Sequence, residues 1–137
     1  MLKANFITAQ EAAEKIQDGS TLCTIGMTLV SASESILKAI EKRFETVGHP
    51  ADITLVHSCG QSDRKDGIQH LAHEGLVKRI IGSHWGLQPR WMEMIANSQV
   101  EAYCLPQGQI AQLYRSMACG LPGKMSKVGL GTFIDPR

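Results

Sequence analysis

A chain of 137 residues that is 43% hydrophobic is one domain or a piece of one, long enough to bury a core. Its 14 basic and 13 acidic residues give a net charge of +1 and are spread along the chain, which excludes a basic nucleic-acid face. No apolar run reaches membrane-spanning length, and the N-terminus lacks a basic stretch followed by an apolar one, so a cytoplasmic location is expected.

Thr8 and Glu11 form a capping box opening a helix with the stripe Ala9, Ala12, Ala13 and Ile16, which Gly19 stops. Ser20 to Gly26 reads as a first strand. Ser31-Ala32-Ser33-Glu34 predicts a second capping box, and the helix after it carries Ile36, Leu37, Ile40 and Phe44 on one face until His49-Pro50 breaks the pattern. Asp52 to His57 is a short β-branched-rich strand, and the polar run Cys59 to Asp66 is a loop at its end. Leu71 to Gly75 predicts a helical turn and Leu76 to Ser83 a third strand. Pro89 to Ala96 is a helix with proline in its first turn. Val100 to Leu105 is the fourth strand. Gln109 to Cys119 is the last clear helix, with Ile110, Leu113, Tyr114 and Met117 as its apolar face. Gly120 to Lys127 reads as a loop. Val128 to Pro136 is strand-like and loop-like, and a chain stopping there reads as a truncated domain.

Strands alternating with helices imply an α/β fold: an open, mainly parallel sheet flanked by helices, joined by right-handed crossovers. Ile25, Leu55, Ile81 and Tyr103 then lie near successive strand ends, with the following turns gathered on one edge. Ligands of such sheets bind outside the carboxyl ends of the strands.

Three of those turns carry candidate chemistry. Gly26-Met27-Thr28 offers backbone N–H groups to an anion or carboxylate. It is neither a G-x-G-x-x-G nor a Walker A sequence, so a nucleotide-phosphate site is not supported. Ser83-His84-Trp85-Gly86 presents a histidine that either donates to a ligand or packs beside Trp85. Leu105-Pro106-Gln107-Gly108 places a side-chain amide at a strand–turn–helix mouth, with Gly108 permitting close approach. Of the cysteines, Cys23 and Cys104 are expected to be buried reduced thiols in strands, Cys59 lies at a strand end, and none, Cys119 included, has zinc-site spacing. His70 and His73, followed by Glu74, share a helix face but lack a third ligand at good spacing, which favours a surface or capping role. Capping and solvent exposure account for Glu11, Glu34, Glu41 and Glu74.

Leu105-Pro106-Gln107-Gly108, followed by a helix and then Gly129-Leu130-Gly131-Thr132, resembles the amino-terminal (α) part of family I CoA-transferases, such as the succinyl-CoA:3-ketoacid and acetate or propionate enzymes. Asp18-Gly19-Ser20-Thr21 leading to Gly26, the run from Leu71 to Leu87 and the run from Val128 to Arg137 are similar to it as well. The resemblance implies a fold like that of CoA-transferases and sugar-phosphate isomerases, with residues 1–137 as the α portion. It implies ping-pong transfer through a glutamyl-CoA thioester, with Gln107 in the oxyanion hole. Gly26, Met27, Thr28, Ser83, His84, Gly86 and Gly108 would line the substrate site. The nucleophilic glutamate belongs to the β half, which this chain lacks. No metal or redox cofactor is implied, since CoA is a substrate. The implied partners are the catalytic β portion, whether fused or separate, with an acyl-CoA, a short carboxylic acid and further copies in a homo-oligomer. The first turn departs from the family's glycine-rich form, carrying Met27, Thr28, Val30 and Ala32. Two other readings stand beside this one. One is a non-catalytic domain that binds CoA esters or pairs with another chain. The other is a sugar-phosphate isomerase, which needs an acid/base carboxylate and a phosphate loop at spacings not found here.

Overall fold

The computed structural model describes residues 4–135 and 137. Helix α1 (Ala9–Glu14) leads to strand β1 (Thr21–Thr24), helix α2 (Glu34–Val47) and strand β2 (Ile53–His57). A 3₁₀ segment (Gly67–Leu71) precedes β3 (Val77–Gly82), α3 (Pro89–Ala96), β4 (Glu101–Cys104) and α4 (Gln107–Ala118). All pairings are parallel and the spatial order is β1-β2-β3-β4. The expected α/β sheet and its four strands are present.

A sheet that grows in one direction through crossovers of one hand keeps its connections on one face. The register sets that face: Leu22, Leu55, Ile80 and Ala102 lie side by side across the four strands. They pack with Leu37 and Ile40 of α2, Ile68 and Leu71 of the 3₁₀ segment and Trp91 of α3 in one core. Ile40, Leu55, Ile80 and Trp91 are fully buried, each such side chain contributing about 1.5–3 kcal/mol over its exposed state. The Trp91 indole donates to the Ile68 carbonyl at 2.9 Å, so its polar edge is satisfied inside the core.

The next residues along each strand, Cys23, Val56, Ile81 and Tyr103, face the other way. Helix α4 covers part of that face, where the Tyr114 hydroxyl lies 3.5 Å from the Thr24 carbonyl. Tyr103 on β4 stays about half exposed. Cys23, expected to be buried, is exposed, because β1 is an edge strand and the residue belongs to this outer row; Cys104 is half-buried.

Local chemistry explains the other departures. The Thr8–Glu11 capping box forms, but α1 ends at Glu14 rather than at Gly19. The Arg43 guanidinium reaches over from α2 and donates to the carbonyls of Ala13 (2.7 Å) and Ile16 (2.8 Å), satisfying the helix end early. The Ser31–Glu34 capping box does not form. Ser31 is left-handed, α2 starts at Glu34, and Ser33 makes no side-chain cap. The Glu34 carboxylate instead accepts the Gly67 N–H at 2.9 Å. That contact helps start the 3₁₀ turn at Gly67, four residues before the expected Leu71. Gly67 is left-handed, and a Cβ there would fall 2.0 Å from the Gln61 carbonyl oxygen. Helix α4 begins at Gln107, not Gln109, and Met117 is about half exposed rather than packed. Among the described residues of 128–137 there are turns and no strand; Pro136 lies outside them.

Gly48 ends α2 in the left-handed region, its N–H donating to Phe44 O at 2.8 Å, and nothing lies within 4 Å of a Cβ built there. Gly48→Ala is therefore expected to cost about 1 kcal/mol through backbone strain alone. Urea unfolding measures it, and an unchanged midpoint would contradict this account.

Candidate active site

Parallel strands put four carboxyl-end turns on one edge: Gly26–Thr28, Ser58–Gly60, Ser83–Gly86 and Leu105–Gly108. Thr28 N–H donates to Gly60 O (2.9 Å), Ser83 Oγ to the Ser58 carbonyl, and Leu105 N–H to Gly82 O (2.8 Å). The turns thus form one connected rim.

The first turn is closed on itself. Met27 N–H and Val30 O pair at 3.1 Å, and Val30 N–H returns to Met27 O at 2.9 Å. Gly26 is required, because a Cβ would come 2.9 Å from Val30 O. With Met27 N–H on Val30 and Thr28 N–H on Gly60, neither is left for an anion, which corrects that part of the sequence reading. The turn instead displays side chains, and Ile25, Met27 and Val30 are all more than half exposed.

His84 is exposed, and its ring lies against Gly60 and Gly86. A Cβ at Gly60 would sit 3.0 Å from its Cδ2, and one at Gly86 2.6 Å from its Cε1. The glycines, rather than Trp85, form its seat. Trp85 turns inward and donates its indole N–H to His57 Nε2 at 3.0 Å. Gln107 is exposed in the first turn of α4, with Pro106 as the flanking residue and no side-chain cap on the helix. A Cβ at Gly108 would meet nothing within 4 Å, so the helix surface beside Gln107 is open at that position. Ser83, Cys104, Leu105 and Pro106, together with Val128 and Phe133, line a cavity of about 280 Å³. The structure brings Ser83 and the Leu105–Pro106 turn together there; of the other expected site residues, Gln107, Gly108, His84, Gly86 and the Gly26–Thr28 turn do not line that cavity. A larger hollow of about 610 Å³, lined by Gly75, Lys78, Ser98 and Gln99, opens at the opposite edge, where the strands begin. Parallel sheets bind ligands at the carboxyl edge, the edge away from that hollow.

Titratable groups at the rim are poorly suited to covalent chemistry. His57 is fully buried, and burial holds its pKa down to about 4 despite the favourable hydrogen bond to the Cys59 carbonyl. Burial pushes the Cys104 thiol up, away from thiolate.

The sequence reading missed two features. His57 is one, a polar residue ending an otherwise apolar strand run. The other is an ion-pair cluster on the helix-covered face. His70 Nε2 lies 2.8 Å from Glu34 Oε1, its Nδ1 meets Glu41, and His73 Nε2 lies 2.9 Å from the other Glu41 oxygen. Glu34 and Glu41, seven apart on α2, share a helix face, and that spacing was the available signal. These residues are therefore neither simple surface groups nor caps. Glu34, Asp66 and His70 stand close enough to hold a cation, but the Lys38 ammonium already occupies the position, 3.1 Å from Glu34 and 3.3 Å from Asp66.

The cluster makes stability depend on pH. Burial opposes charge on His70, but hydrogen bonds to Glu41 and Glu34 and their negative charge outweigh it and raise its pKa above 6.5. A raised histidine stabilises fully below its unfolded value, and the contribution is lost as pH rises through the folded value. Unfolding by urea is expected to become easier as pH climbs above the ordinary histidine value, and Glu41→Gln should flatten that loss. A wild-type profile with no such decline would refute the assignment.

Residues 6–137 match the family model described as Coenzyme A transferase. The chain is 40% identical over 135 residues to caffeate CoA-transferase of Acetobacterium woodii, covering 98% of this chain and 26% of that protein. It superposes with a TM-score of 0.88 and 36% identity on the acyl-CoA transferase YdiF of E. coli O157:H7, solved as a thioester complex with CoA, covering 96% of this chain and 27% of that one. It is 37% identical over 133 residues to the acetate CoA-transferase YdiF of Escherichia coli (strain K12), across 96% of this chain and 25% of that protein. The chain thus spans about a quarter of the length of these relatives. With the same parallel sheet and nearly its whole length inside the family match, this chain belongs to the coenzyme A transferase family.

Proposed function

We propose that this chain is the amino-terminal (α) part of a cytoplasmic acyl-CoA:carboxylate CoA-transferase. It supplies Gln107 and pocket walls to a site completed by a β half, fused or separate. The observation that carries this is Gln107 itself: an exposed amide in the first turn of α4, not spent on capping, with open space at Gly108. When a carboxylate attacks a thioester carbonyl, the carbonyl oxygen becomes an oxyanion, and a fixed amide N–H aimed there stabilises the transition state more than the ground state. The rim's own side chains support a division of labour. His57 is buried and its pKa depressed, His84 is seated on two glycines, and Glu34 and Glu41 are engaged on the helix face. The attacking carboxylate therefore comes from the partner, whose docking covers Ile25, Met27 and Val30. Met27, Thr28, Ser83, His84 and Gly86 then face the acyl-CoA or the incoming acid.

Co-expression of the chain with the β part of a relative tests this. The expected result is CoA transfer from acyl-CoA to a short carboxylate, with a glutamyl-CoA thioester detectable on the β part by mass spectrometry. A folded complex that binds CoA esters without transfer would favour the non-catalytic reading instead.

A further inference from the structure

His57 is fully buried, yet it carries two hydrogen-bonding nitrogens into the rim. Nδ1 lies 2.7 Å from the Cys59 carbonyl, which only accepts, so Nδ1 bears the proton. Nε2 lies 3.0 Å from the Trp85 indole N–H, which only donates, so Nε2 presents its lone pair. The two partners select one tautomer of a neutral ring. A second proton would set N–H against N–H, and burial independently disfavours it. The Trp85 ring meets the imidazole edge-on, with centroids 6.2 Å apart. Gly82 leaves no slack on the remaining side, since a Cβ there would fall 2.2 Å from Nε2.

Contacts spread from this ring to three turns of the rim. The Cys59 carbonyl holds the β2 loop, and its neighbour Gly60 accepts the Thr28 N–H of the first turn. The indole holds the Ser83–Gly86 loop, which places Ser83 Oγ on the Ser58 carbonyl and seats His84 between Gly60 and Gly86. Beneath them the buried Gln88 amide joins the two loops when oriented by its neighbours: with its oxygen toward the Gln61 N–H (2.9 Å), its nitrogen donates to the carbonyls of His84 (3.0 Å) and Trp85 (3.2 Å).

We propose that His57 is a positioning residue for the acyl-CoA site, a neutral single-tautomer clasp between β2 and Trp85 that sets where the β2 and β3 turns stand relative to Gln107. It touches no substrate. The proposal rests on the transferase reading above. A shift of about 1 Å in such walls costs on the order of 100-fold in rate, whereas a core histidine that merely fills space affects stability alone.

The test uses the complete transferase carrying this sequence, assayed well below its unfolding temperature. Trp85→Phe keeps an aromatic ring and removes the indole donor. His57→Ala removes both bonds, and His57→Asn restores a donor toward Cys59. Gly48→Ala, at the opposite end of α2, is the control for lost stability alone. Trp85→Phe is expected to lower kcat by about tenfold or more with its circular dichroism spectrum intact, in line with misplaced rather than missing groups. His57→Asn should recover part of the loss in His57→Ala, and Gly48→Ala should leave kcat unchanged. The conservative Trp85→Phe decides the matter if His57→Ala fails to fold. Wild-type kcat and KM in a folded Trp85→Phe protein, with only its unfolding temperature lowered, would overturn the assignment while leaving the transferase reading intact. A complete wild-type protein without CoA transfer would overturn that reading, and the positioning role with it.

Discussion

The isolated 137-residue chain transfers no CoA from acetyl-CoA to propionate: this is the expected result for a sample of verified mass. Ping-pong transfer needs a carboxylate that attacks the thioester, holds CoA as its own thioester once the first acid has left, and is regenerated when CoA passes to the incoming acid. Glu34 accepts the Gly67 N–H and meets His70; Glu41 is held by both His70 and His73. Glu11 caps α1 through Thr8, and Glu101 lies on the outer sheet face paired with Arg79 at 2.6 Å. These carboxylates are committed to structural partners. Loss of a nucleophile from a covalent enzyme costs on the order of a million-fold, leaving what binding and the oxyanion hole supply. Propionyl-CoA formation followed by chromatography measures it. Turnover within a few hundred-fold of a complete relative would show that a nucleophile on this chain had been overlooked.

In the complete enzyme, Gln107→Ala is expected to lower kcat about 100- to 1000-fold with little change in acyl-CoA binding, the usual loss for one oxyanion donor. The rival account is a glutamine that caps the following helix, whose loss would cost about 1 kcal/mol of stability and leave turnover intact. The structure makes that rival weaker. Pro106 is the flanking residue of α4, no side chain caps the helix, and Gln107 is exposed. Stability should therefore hardly move in Gln107→Ala while turnover collapses. Measuring kcat and thermal unfolding on the same preparation separates the cases, and an unchanged kcat would end the functional assignment of Gln107.

The elements were legible because local rules act within a few residues. Thr8 and Glu11 satisfy each other's backbone donors three positions apart, wherever the helix later docks. Pro89 in a first turn and the apolar runs at Ile53–His57 and Val77–Gly82 are of the same kind. At Ser31–Glu34 the same rule failed, because Glu34 found Gly67, 33 positions away, a contact that sequence spacing does not show. The end of α1 moved for a similar reason, since Arg43 comes from another helix.

By itself, then, the sequence determined the order of helices and strands, the parallel sheet and the gathering of turns at one edge. It also carried, at Pro106-Gln107-Gly108, the resemblance to the family. Those follow from periodicity, turn chemistry and the handedness of crossovers, which operate over short stretches of chain. The tertiary structure decided which groups are spent and which are free. It spent the N–H groups of Met27 and Thr28 on Val30 and Gly60, drew His70 and His73 into a half-buried ion-pair cluster, and left Gln107 uncommitted. It also buried His57 between Cys59 and Trp85 in a single tautomer. Hydrogen bonds and charges act over about 3 Å between residues tens of positions apart, so their pairing exists only once the sheet has brought those residues together.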